Sequence, residues 1–138
     1  LNAIDLAWDI VARFADPSNA STPAMPRSFF DGWTRVALEE AKHFSLLRKR
    51  LADLNSHYGA MEAHDGLWEA AQSTGHDLTA RLAIVPLILE ARGRDSTPAL
   101  LVQIEAVGDH TSADIFKVIY RDELGMWPWG QNGSAICV

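Results

Sequence analysis

Trp33-Thr34-Arg35-Val36-Ala37-Leu38-Glu39-Glu40-Ala41-Lys42-His43-Phe44-Ser45-Leu46-Leu47 is the stretch that decides how this chain is read. Trp33, Ala37, Glu40, Phe44 and Leu47, continued by Leu51 and Leu54, recur at alternating intervals of four and three. That spacing marks the inward seam of a packed helix. Glu40 takes a seam position, and His43 follows one turn later on nearly the same face. A lone carboxylate buried there is costly unless something compensates it. Its neighbour Glu39 is read as solvated, because Glu40 holds the seam.

Working outward, helical periodicity dominates and no segment alternates like a strand for more than a few residues. The first helix is expected to run to about Phe14, with Ile4, Ala7, Val11 and Phe14 buried and Leu1 and Trp8 at the edge. Asp5, Asp9, Arg13 and Asp16 fall on the opposite side. Residues 17–26 read as a loop. The second helix is expected over residues 27–55, with Gly59 as a stop. A short loop precedes a third helix reaching about Arg92, bent at Pro86 and closed by Gly93. Ser96-Thr97-Pro98 opens a shorter helix. Gly108-Asp109 breaks it, and a last helix covers about residues 112–124. Trp8, Trp33 and Trp68 are read as core residues, and His64 and His110 as polar contacts in loops. After Gly125 the helical period is lost, so residues 1–125 form the expected domain and 126–138 an irregular tail.

The 138 residues suffice for one domain with a real core, and 48% hydrophobic with 22% charged residues is ordinary for a soluble protein. No apolar run approaches the roughly 20 residues that span a bilayer. The opening has no signal-peptide pattern, which points to a soluble, intracellular and cytoplasmic protein. A net charge of −6 argues against binding nucleic acid. One cysteine, Cys137, excludes an intrachain disulfide and thiolate metal clusters. The chain begins without Met inside an apparent helix, so its N-terminus is expected to lie upstream.

Glu-x-x-His on one bundle helix, faced by carboxylates from others, is how a four-helix bundle holds two metal ions. Hard oxygen donors neutralise the ions and an imidazole completes each. Here Glu40 and His43 supply the pair, Glu90 ends the apolar run of residues 82–89, and Glu123 is in step with Phe116, Ile119 and Tyr120. A second Glu-x-x-His would need His where Met126 stands, and a first-helix Glu would precede Leu1. The alternative is a non-catalytic helical binding or assembly module, its polar cluster satisfied by Arg81, Arg92 or Lys42.

Glu39-Glu40-Ala41-Lys42-His43-Phe44, Ala63-His64-Asp65-Gly66-Leu67-Trp68, Ala80-Arg81-Leu82-Ala83, Glu90-Ala91-Arg92-Gly93, Thr97-Pro98 and Asp122-Glu123-Leu124-Gly125 together resemble a known family. It is the ferritin-like family catalogued as domain of unknown function 455. The resemblance implies an all-α, ferritin-like antiparallel four-helix bundle with one extra short helix. It also implies a two-ion site for iron or manganese, ligated by Glu40, His43, Glu90 and Glu123 and incomplete in this chain. An oxidoreductase activity and a homodimer fit that picture; membrane and nucleic-acid partners do not. Family members continue Gly-His-Val where this chain reads Gly125-Met126-Trp127, and loss of one base in that Gly codon yields the observed residues 125–130. A frameshift or mis-spliced gene after Gly125 is therefore expected.

Overall fold

Residues 1–15, 24–84 and 90–126 are described by the computed structural model, and among them all regular structure is helical. The elements are α1 (Asn2–Phe14), α2 (Arg27–Asp53), α3 (Gly66–Ser73), α4 (Leu78–Leu82), α5 (Glu90–Ala106) and α6 (His110–Met126). The expected all-α class is what the chain adopts. Most of the loop expected at residues 17–26, Pro86 and the tail from Trp127 onward lie outside the described residues. The chain divides into two compact units, Leu1–Arg92 and Gly93–Val138.

In the first unit α1 packs against α2 and α3. Its buried side chains are Leu6, Ala7, Ile10 and Phe14. The stripe is turned from the expected one: Leu6 and Ile10 replace Ile4 and Val11, which are half-buried. The rotation follows from the second neighbour. Leu6 forms a cluster with Ala71 of α3, against which Leu67 and Trp68 also pack. Trp8, expected in the core, is 47% exposed, whereas Trp33 is buried as expected. On α2 the buried side chains are Phe29, Trp33, Ala37 and His43. Edge-to-face contacts join Phe29 to Phe30 and to Trp33.

α2 does not wait for Gly59 to end. Asn55 takes a left-handed φ of 56°, Ser56 N–H donates to Leu51 C=O at 2.8 Å and Asn55 N–H to Ala52 C=O at 3.0 Å. This paired closure satisfies carbonyls the helix would otherwise leave open. α5 ends in the same way, with Gly108 at φ 79° and Asp109 N–H donating to Ile104 C=O. Asp109 then caps α6 by accepting from Ser112 N–H at 3.0 Å. In the second unit Lys117 Nζ of α6 meets Glu105 of α5 at 2.7 Å.

Among the described residues, the expected third helix is broken between Ser73 and Leu78. Thr74 Oγ1 donates to Ala70 C=O at 2.8 Å, and the Arg81 guanidinium takes Ala71 C=O. The guanidinium thus occupies the carbonyl that a continuing helix would pair with Gly75 N–H, which turns to Gln72 C=O instead. Asp77 restarts the helix by accepting from Ala80 N–H at 2.9 Å. In contrast, α5 runs unbroken through Gly93 and Pro98, where a stop and a new start were expected. Glycine weakens a helix by only about 1 kcal/mol, and Pro98 removes a single backbone donor.

Arg81 is fully buried, at 0% exposure. Its Nε donates to Thr74 Oγ1 at 3.0 Å, its Nη1 to Asp9 Oδ2 at 2.5 Å and its Nη2 to Ala71 C=O. Asp9 also accepts from Arg13 at 2.7 and 3.2 Å. Asp9 was read as a solvent-face residue, yet its side chain is 16% exposed and inside this network. A buried guanidinium must be paired, and that requirement outweighs helical periodicity. Burial alone would raise the Asp9 carboxyl, but hydrogen bonds and charges from Arg13 and Arg81 outweigh it and hold it below the ordinary carboxylate range.

Two outcomes follow. Asp9→Leu, which strands Arg81, should lower the unfolding free energy in urea by about 3–5 kcal/mol, while Asp9→Leu/Arg81→Met recovers most of that loss; additive losses would contradict the account. A carboxylate lowered in the fold contributes stability above its unfolded value, near about 3.9, and loses it as pH falls through the folded value. Acid titration of stability below about pH 5 should therefore be shallower in Asp9→Asn than in the wild type.

Candidate metal site on α2

The long apolar face of α2 is interrupted at Glu40 and His43, one helical turn apart. The side chains are 15% and 5% exposed, and Glu40 Oε2 lies 3.9 Å from His43 Nδ1. That is within ion-pair range and longer than a hydrogen bond. Glu39, expected in solvent, is half-buried. One of its carboxylate oxygens lies within 4.8 Å of a His43 ring nitrogen, and Lys42 Nζ approaches Glu39 at 3.6 Å. Two carboxylates therefore flank one imidazole on a single helix, Glu40 and His43 largely shielded from water and Glu39 32% exposed. Hard oxygen with imidazole nitrogen is a donor set suited to iron, manganese or zinc.

Glu90 is the first residue of α5, and its side chain lies outside the described residues. Glu123 is half-buried on α6, on the arc that also carries Ser112, Phe116 and Ile119, and Asp122 beside it is half-buried too. Both acids belong to the second unit. The donors of Arg81 go to Asp9, Thr74 and Ala71. The sequence reading passed over Glu39 because period alone assigns one seam position to each turn. The wide arc that a long helix buries near a neighbour admits Glu39 as well.

The chain matches, over residues 1–131, the family described as "Protein of unknown function (DUF455)". It belongs to that family. A relative from Haemophilus influenzae, named "Uncharacterized protein", is 44% identical over 124 residues, which is 90% of this chain and 43% of the relative. The chain thus spans less than half the length of that relative. No solved structure matches it. Among the described residues, no helix is long and apolar enough to cross a membrane.

Proposed function

We propose that this DUF455 member is a metal–carboxylate protein whose centre is built on Glu40 and His43 of α2. The observation that carries the reading is their joint burial, one turn apart, in a seam otherwise made of apolar side chains. Glu90 and Glu123 are the further carboxylate ligands of the proposal, with Glu39 as a second acid on α2. The scaffold would be a ferritin-like bundle, and the ions iron or manganese, two in an intact site. Bound there, such ions would supply redox chemistry toward dioxygen or peroxide, making an oxidoreductase. The protein's own groups would hold the ions, with Glu40, Glu90 and Glu123 as carboxylate ligands and His43 as an imidazole ligand. Met126 stands where a second imidazole would fall, so this chain should bind weakly or hold a single ion.

The reading of the polar cluster as purely structural relied on Arg81, Arg92 or Lys42 to satisfy the acids. Arg81 is engaged by Asp9, while Lys42 lies beside these acids, 3.6 Å from Glu39, and the Arg92 side chain lies outside the described residues. Metal titration with elemental analysis tests the proposal. The wild type should retain about one manganese or iron per chain, Met126→His should retain more, and Glu40→Ala or His43→Ala should retain none. Equal metal content in wild type and His43→Ala would overturn it.

A further inference from the structure

Four side chains of α2 share one arc, in an order that the helix fixes. At about 100° per residue, Lys42, Glu39, His43 and Glu40 follow one another around the axis. Side-chain exposure falls along that order from 49% at Lys42 and 32% at Glu39 to 5% at His43, with Glu40 at 15%. Glu39 therefore stands between an ammonium on its wetter side and an imidazole on its drier side. Its carboxylate lies 3.6 Å from Lys42 Nζ, and one of its oxygens lies within 4.8 Å of a His43 ring nitrogen.

Both neighbours suit a carboxylate, but in different states of the site. Glu39 and His43 are four residues apart, the spacing at which one helix face offers two ligands to one ion. Without an ion, Glu39 and Glu40 bring two negative charges to the flanks of one imidazole, and like charges at short range repel. The Lys42 ammonium offsets that charge from the rim, where it stays half in water. A cation that takes Glu39 together with His43 must part Glu39 from Lys42, and the ammonium repels it as it enters. A half-exposed pair of this kind is weak. It yields to a divalent ion rather than barring one.

We propose that Lys42 is a built-in competitor for the metal ion: it holds Glu39 in the metal-free protein and releases it to an ion bound beside His43. The proposal rests on the metal–carboxylate reading of this site. To that reading it adds Glu39 as a ligand and Lys42 as the residue that sets the affinity.

Manganese(II) titration of the metal-free chain, with the free ion followed by electron paramagnetic resonance, tests this. Lys42→Met keeps the stem and removes the charge, and should bind about five- to tenfold more tightly than the wild type. Lys42→Arg keeps the charge and should stay within about twofold. Lys49→Met, the same change two turns on along the same side, should also stay within about twofold, because salt screens exposed charges beyond about 10 Å. In a Glu39→Gln background the gain from Lys42→Met should shrink below about twofold. Equal affinity in Lys42→Met and the wild type overturns the proposal. So does an equal gain from Lys49→Met, or a gain that persists without the Glu39 carboxylate, because a diffuse field is then the cause. Manganese bound by no variant removes the site and the competitor with it, whereas binding at unchanged affinity strikes the competitor alone.

Discussion

Removing a charge from water without a partner is the constraint on which this structure turns. The guanidinium of Arg81 has no exposure, so its donors must be met inside the protein. They are met by Asp9 of α1, by Thr74 and by a carbonyl at the end of α3. One side chain thereby sets where α1 lies against α3, where α3 stops and where α4 begins. Such a pair adds little net stability compared with apolar groups of the same volume. Its effect is on register: alternatives that move α4 leave a charge buried and unpaired.

The same constraint gives the α2 seam its meaning. Glu40 and His43 sit together in a face built from Phe29, Trp33 and Ala37, where apolar side chains would pack without penalty. A carboxylate and an imidazole, both metal-ligand types, share that shielded seam one turn apart, which is the basis of the proposed function. Family membership adds no reaction to this, since the family is described as one of unknown function.

Much of the fold was legible because α1, α2 and α6 are long and strongly periodic, and their limits are marked by local chemistry. The third helix was misread because its break depends on Arg81, seven residues beyond Thr74, reaching back to the Thr74 hydroxyl and the Ala71 carbonyl. No local signal encodes that reach. The buried side of α1 was misjudged by part of a turn for a related reason: Leu6 packs on Ala71 of α3, and a single-neighbour stripe centres on Ala7 instead. Asp9 looked solvated because its partner lies far along the chain. In the site, Glu40 and His43 were visible from spacing. Glu39 was hidden because a burial arc is wider than one seam position, and the tail after Met126 lacks any period to read.

The central claim is that His43 and its neighbouring acids receive a metal ion, and the most direct measurement is pulsed electron paramagnetic resonance of the protein loaded with manganese(II). The account predicts modulation from one directly bound imidazole nitrogen, present in the wild type and absent in His43→Ala. Nitrogen modulation unchanged by that substitution, or a manganese signal with water and carboxylate ligands alone, would contradict it.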